Sequence, residues 1–404
     1  MAERGEKIQW ILSIRRIEKR PFIILLILSS SLLGGCCLKR FIRTLAVFLA
    51  PVAVLLGVLF AALWRTGELA RMGDIESAMA RGGTSLVGFA YRDNTRTLKQ
   101  NVAAARGARV LVLGTSRAMQ LRSGFFASDS FYNAGGGIAY ISQALPFLER
   151  LPDEARPTSL VLVLDQYFYN PQWCSIEPEE SLILPDYAPP APLYAFRHML
   201  WDFADGKFSL WRALTTPQGV YGLAAVGRGS GFLADGSYYY GDVLFHPERS
   251  EDAGFHDTFD RITRQTGRFE PGDTPDAESL AETQALLSFC SENGISVTAF
   301  LPPYAPSVWR RMQETGSYTY IPAAVSALQS LFAQYGYELF DYTFLPETDD
   351  SQYVDGFHGS DRVYAAVCAR LAEDSALLSG QFDKEALQSL FTAPGNPLTL
   401  PESS

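Results

Sequence analysis

The hydropathy pattern opens on two apolar runs near the N-terminus, and the second, Thr44 to Trp64, holds no charge at all. Its 21 residues, at about 1.5 Å of helical rise each, cover the roughly 30 Å hydrocarbon layer of a bilayer. Further on, the apolar positions fall into short blocks separated by amphipathic stretches. Residues 108–114 (Ala-Arg-Val-Leu-Val-Leu-Gly) predict a buried strand, Phe131-Tyr132 a short second one, and residues 159–165 (Ser-Leu-Val-Leu-Val-Leu-Asp) a third. Residues 295–301 and 337–341 predict a fourth and a fifth. Helical periodicity is expected from Arg117 onward and over 138–151, 277–292, 322–334 and 360–375. Strands that are apolar on both faces and alternate with helices mean a parallel sheet covered on both sides. The expected fold is α/β: a three-layer α/β/α, flavodoxin-like domain with about five parallel strands behind an N-terminal transmembrane helix.

The pattern also divides the chain. Residues 1–43 form a basic and apolar segment, 44–64 the transmembrane anchor, 65–106 a stalk or first helix, and 107–392 the α/β domain. Alternation breaks over 166–275, a segment rich in Tyr, Phe, Trp, Gly and Pro that reads as an insertion forming a lid or wall at the carboxyl ends of the strands. The Pro- and Ser-rich tail 393–404 is expected to be disordered. The first apolar run, Phe22 to Leu38, is interrupted by Ser29, Ser30, Ser31 and the pair Gly34-Gly35, and admits three readings. It is a second span, or a lipoprotein-like signal ending at Cys36, or upstream sequence wrongly included, with synthesis starting near Leu38. The third is favoured, because the stretch from Leu38 already has the basic-then-apolar order of a complete anchor.

Charge sharpens this division. The chain carries 34 Lys+Arg and 44 Asp+Glu, a net charge of −10. Residues 1–43 hold nine basic and three acidic residues, leaving 25 against 41 for the remainder. Basic residues ahead of a single span place the N-terminus in the cytoplasm and the acidic domain outside, and an acidic domain is a poor partner for nucleic acid. With 47% hydrophobic residues, the composition excludes a disordered chain. The five cysteines show neither metal-ligand spacing nor a disulfide framework.

Three short motifs carry candidate chemistry. Ser116, in Gly114-Thr115-Ser116-Arg117, follows the first strand at the crevice edge, where a nucleophile feels a helix N-terminus; alone, it fits an ordinary helix cap better. Asn133-Ala-Gly-Gly-Gly137 follows the second strand, and its N–H groups can face an oxyanion or form a plain flexible turn. Asp355-Gly-Phe-His358 precedes the last helix, and this spacing lets the carboxylate reach the imidazole of its own loop; the alternative is a surface loop that caps the helix. A metal there lacks a second close His or Glu. His198, His246 and His256 fit packed or solvated positions. Tyr238 to Tyr240, Tyr304 and Trp309 fit core or lid packing better than a sugar platform. Arg117 reads as solvated, or as a contact for an anionic substrate group.

All three motifs fall at one sheet edge, and in this order the chain resembles the SGNH (GDSL-like) hydrolase superfamily over residues 108–165 and 277–376. In that superfamily a Gly-Asp-Ser block supplies the nucleophile, a Gly or Asn-Gly block the oxyanion hole, and a C-terminal Asp-x-x-His block completes the triad. Two departures are visible: Thr115 replaces the block's Asp, and no Gly-x-Asn-Asp block follows strand three, where Gln166 and Asn170 are the nearby amides. Together with the anchor and the Leu301-Pro302-Pro303-Tyr304 strand end, these departures look like the membrane-anchored branch, which includes teichoic-acid D-alanine transfer and alginate or peptidoglycan O-acetylation proteins.

The resemblance implies an SGNH-type O-acyltransferase or acyl esterase outside a bacterial cell membrane, held by a single span. Ser116 would be the nucleophile, His358 the base and Asp355 its orienting carboxylate. N–H groups near Ser116 and Gly135, with Asn133 and Gln166, would hold the oxyanion, and Arg117 the substrate. It implies no metal and no organic cofactor. The implied partners are a cell-envelope polysaccharide, teichoic acid or lipid-linked glycan, and a multi-span membrane O-acyltransferase. A catalytically inactive scaffold for that acyltransferase and a small-ester esterase or lipase stand as alternatives.

Overall fold

A computed structural model describes residues 35–185, 187 and 192–401. Most of the apolar run Phe22 to Leu38, and with it the choice among its three readings, lies outside the described residues. Two compact units divide at Ala61. The first consists of most of helix α1 (Gly35–Arg65), which over Leu38–Arg65 is long and apolar enough to cross a membrane. Its apolar residues point in all directions, and Val47, Phe48 and Val54 stand exposed. A helix that is apolar all round has no single face for a soluble core to cover.

The second unit is an α/β domain on a five-stranded parallel sheet. Its strands are β1 (Val110–Gly114), β2 (Phe131–Gly135), β3 (Ser159–Val163), β4 (Ser296–Leu301) and β5 (Glu338–Asp341), in the spatial order β2-β1-β3-β4-β5. Val112 lies opposite Asn133 on one side and Val161 on the other. Every residue of β1 and β2 is buried, so both faces of the sheet are covered. Helix α2 (Thr95–Arg106) packs on β2, while α3 (Ala277–Glu292) packs on α4 (Tyr320–Gln334); α5 (Asp361–Asp374) follows β5. This is the flavodoxin-like order, whose reversal between β1 and β3 opens a crevice outside the carboxyl ends of the strands.

The chain departs from the sequence pattern in three places. After β1 comes a single 3-10 turn, Ser116–Ala118, instead of a long helix. Thr115 Oγ1 caps it by accepting the Arg117 N–H at 3.2 Å, and the Arg117 side chain turns into the domain. Residues 65–106, expected as a stalk or first helix, fold as a helix (Met72–Ala80), a strand (Leu86–Val87) and α2, with Ile75, Met79 and Val102 fully buried. Leu86–Val87 pairs with Val220–Tyr221 and Gly231–Phe232 of the 166–275 segment, and Tyr238–Tyr239 completes a small second sheet. Its central strand forces close backbone approach: a Cβ on Gly222, which sits at φ 93°, would come within 2.0 Å of the Gly88 carbonyl. The insertion is thus joined to residues that precede the α/β alternation.

The third departure is the tail. Residues 393–401 pack on the domain instead of lying free, because the Arg362 guanidinium donates to the carbonyls of Ala393 and Thr399 and Leu398 is buried beside Leu244 and Val354. Asn396 Nδ2 also donates to the Leu244 carbonyl at 2.7 Å. Arg362→Met is therefore expected to release this segment. Intact-mass analysis after limited carboxypeptidase treatment should show trimming to about residue 393 in the variant, with the wild type resistant.

Candidate active site

The crevice at the carboxyl ends of β1 to β3 brings Ser116, His358 and Asp355 together. Ser116 Oγ lies 2.8 Å from His358 Nε2, and His358 Nδ1 lies 2.6 Å from Asp355 Oδ2. The other Asp355 oxygen accepts the backbone N–H groups of Phe357 and His358 at 3.0 and 2.8 Å. Carboxylate, imidazole and loop are thereby fixed as one piece. Burial acts to raise the Asp355 carboxyl, but the adjacent imidazole and these two N–H groups outweigh it and hold the carboxyl below its ordinary value. Asp355 stays ionised, and an ionised partner at Nδ1 holds that nitrogen as the N–H and turns the Nε2 lone pair to the serine.

The 166–275 segment anchors this loop. Asp252 Oδ2 accepts the Gly356 N–H at 3.1 Å and the Thr258 hydroxyl at 2.5 Å, while the Gly356 carbonyl accepts the Ala305 N–H at 3.2 Å. A Cβ on Gly356 would lie 2.5 Å from Thr258 Cγ2, so the loop has no room for a side chain there.

The remaining expected residues occupy different roles. Asn133 is fully buried; its Nδ2 donates to the carbonyls of Ala118 and Leu121, both at 2.8 Å, and its Oδ1 accepts the Gly135 N–H at 2.6 Å. Gly136 donates to the carbonyls of Gly114 and Thr115, and Gly137 to that of Ala134. The glycine block is therefore not an oxyanion hole as it stands, because a buried amide and nearby carbonyls already use its N–H groups. It clamps β2 to the Ser116 turn. Within that turn the Ser116 N–H has no acceptor among the described residues, which leaves it free to donate beside the Ser116 hydroxyl.

Gln166 is no oxyanion donor either. Its Nε2 donates to the Pro302 carbonyl and Thr343 Oγ1, at 2.8 and 2.9 Å. Asn170 caps the short helix that follows it. Arg117 faces inward and touches no solvent-filled space. Its guanidinium donates to Asp165, Gln166, the carbonyls of Pro302 and Pro303, and the carbonyl of Phe357, at 2.7 to 3.0 Å. Burial is the largest influence and would lower the Arg117 pKa, but Asp165 together with the nearby Tyr304, Tyr364 and Tyr167 outweighs it and keeps it raised. Tyr304 lies buried under this guanidinium, 4.3 Å from the ring centroid, and is no sugar platform.

Sequence reasoning missed Asp165 and Asp252. Asp165 was visible as a carboxylate ending an otherwise apolar buried run beside an arginine-bearing turn. Asp252, in a segment without periodicity, left no such signal.

Ser116, His358 and Asp355 open onto a cavity of about 660 Å³ walled by Tyr91, Arg92, Asn94, Met119, Tyr238 and Tyr240. The Tyr240 ring stands edge-on to His358, its centroid 6.4 Å away. A second cavity of about 780 Å³ shares Tyr238, Tyr240 and Asp355 and is lined by Arg228, Arg249, Asp242 and Asp257. Apolar and aromatic walls with few polar groups are usual for a small-molecule or acyl pocket. His246 lies beside Glu248 at half-exposed positions, and His198 rests on Tyr194; neither joins the site. No family model matches the chain, and no curated protein matches it.

Proposed function

We infer that the chain is a membrane-anchored, extracytoplasmic serine acyl-transfer enzyme of SGNH type. On this reading it acts as an O-acyltransferase or acyl esterase on a cell-envelope polymer or lipid-linked glycan. The observation that carries this reading is the continuous relay from Ser116 Oγ through His358 to Asp355, with distances of 2.8 and 2.6 Å, lining a cavity of about 660 Å³. Ser116 Oγ attacks an acyl carbonyl while His358 Nε2 takes its proton. The tetrahedral oxyanion is held by the Ser116 N–H. As it collapses, His358 returns the proton to the leaving alcohol and an acyl-serine remains. A second hydroxyl, from a polymer or from water, then reverses the sequence: its proton passes to His358 as its oxygen bonds the acyl carbon, and His358 returns that proton to Ser116 Oγ as the bond to the serine breaks.

One observation favours a second reading. The glycine N–H groups are all engaged, so the oxyanion has fewer donors than a hydrolase of this kind normally offers, as in a scaffold that presents polymer to a separate membrane acyltransferase. A fluorophosphonate probe separates the two. Labelling of the full chain at Ser116, located by peptide mass spectrometry and lost in Ser116→Ala and His358→Ala, is the expected result. A folded chain that takes no label would overturn the enzyme reading in favour of the scaffold. Turnover of polymer-borne against small soluble esters then distinguishes a polymer enzyme from a small-ester esterase.

A further inference from the structure

We propose that the outer face of the helix Pro192–Ala204, with the short helix Leu210–Leu214, docks on the lipid surface of the membrane that α1 enters. The proposal rests on the membrane-anchor reading and not on the acyl-transfer chemistry.

The helix Pro192–Ala204 is apolar on two faces. Ala195 and Met199 are buried in the domain, whereas Leu193 and Tyr194 and, two turns on, Leu200 and Trp201 lie on the opposite side and stand in solvent, Leu193 at 85% and Trp201 at 67% exposure. Trp211 on the next helix is 76% exposed. A folded domain seldom leaves so many large apolar side chains together in water, and such a patch marks an interaction surface. Its composition fits the boundary of a bilayer: indole and phenol rings beside aliphatic residues, with exposed Arg197 amid them on the same face and exposed Arg212 on the next helix, whose long side chains can reach headgroup phosphates.

Connectivity argues for lipid over a protein partner. Helix α1 runs without a break to Arg65, and Thr66 is already part of the domain, its carbonyl accepting the Gly222 N–H at 2.6 Å. Thr66 follows Arg65 directly, so the chain enters the domain as soon as α1 ends. The exposed helix is tied to the same spot. Glu68 accepts the N–H groups of Ala90 and Tyr91 at 3.0 and 2.9 Å, Arg92 donates to the carbonyls of Gly67 and Ala70, and the Tyr91 hydroxyl reaches Asp202 at 2.8 Å. One residue of this docking helix, Tyr194, is also a wall of the cavity that contains Ser116, as are Tyr91 and Arg92. A docked helix would hold that wall at the headgroup level, where a lipid-linked acyl donor or acceptor is found.

The test uses the full chain reconstituted in phosphatidylcholine vesicles, with an environment-sensitive fluorescent amino acid placed singly at Trp201, at Trp211, at Phe48 in α1, or at exposed Gln329. Replacing the lipid with phosphatidylcholine brominated near the headgroup end of its acyl chains should reduce emission at positions 48, 201 and 211 and leave 329 unchanged. Quenching at 48 with none at 201 and 211 would overturn the docking proposal, keep the anchor, and leave the patch to a protein partner. No quenching at 48 would overturn the anchor reading and the proposal with it. All four probe sites are exposed, so the substitutions leave the core intact.

Discussion

Replacing Asp355 by Asn is expected to slow fluorophosphonate labelling of Ser116 by about 10,000-fold while leaving the loop folded. Asp355 performs two tasks with two oxygens. Oδ1 accepts the N–H groups of Phe357 and His358, and Oδ2 faces His358 Nδ1 at 2.6 Å. Asparagine keeps an oxygen for the two loop bonds but turns an NH2 toward Nδ1. The imidazole must then present a lone pair there, which moves its proton to Nε2, the atom 2.8 Å from Ser116 Oγ. An Nε2–H cannot accept the serine proton. The wild-type carboxyl is held below its ordinary value, so its contribution to stability is present above the ordinary carboxylate pKa of about 3.9 and is lost as pH falls through the lower folded value. Near neutral pH the defect should therefore be one of tautomer and not of unfolding. Circular dichroism and the second-order labelling rate, measured on the same sample between pH 6 and 8, check both halves. A loss smaller than tenfold with the fold intact would mean that Asp355 does not orient the base.

The strands were the most legible part of the chain because the four from β1 to β4 are short apolar blocks buried on both faces, the pattern expected of a covered parallel sheet, while the edge strand β5 is only partly buried. The three motifs at the sheet edge were legible for a related reason: fixed order along the chain becomes fixed position at the ends of adjacent strands. What the pattern could not show is which donor faces which acceptor. Asn133, Gly135 and Gln166 lie at the edge where the motifs pointed, yet their polar atoms face inward, since a crevice built from strand ends leaves carbonyls and N–H groups that must be bonded before any substrate arrives. Arg117 was misread most fully. A charged residue in a polar turn reads as solvated, and only three-dimensional placement shows that Asp165 and two proline carbonyls, which lack donors of their own, surround it. The tail was misread for the same reason: Pro and Ser composition said nothing of an Arg362 guanidinium aimed at its carbonyls.

Arg117→Met is expected to destabilise the full chain by about 3–5 kcal/mol, the cost of leaving a buried carboxylate without its cation. The guanidinium is 1% exposed and Asp165 fully buried, so water cannot replace the lost charge. Only the Thr115 hydroxyl would remain on Asp165, at 2.6 Å. Lysine is no rescue: one ammonium cannot reach acceptors on three separate chain segments, Asp165 and Gln166 after β3, the Pro302 and Pro303 carbonyls after β4, and the Phe357 carbonyl. The second substitution Asp165→Leu should restore much of the stability, because the unpaired charge is gone and an apolar side chain fits a buried position. It should not restore labelling at Ser116. The Phe357 carbonyl, one residue before His358, accepts Arg117 Nε at 2.9 Å, and without that bond the histidine loop is no longer braced against the nucleophile turn. Urea unfolding in detergent and labelling rate, measured on wild type, single and double variants, separate the two contributions. If the double variant recovered both, Arg117 would serve folding alone, and the brace between Ser116 and His358 would have to lie elsewhere.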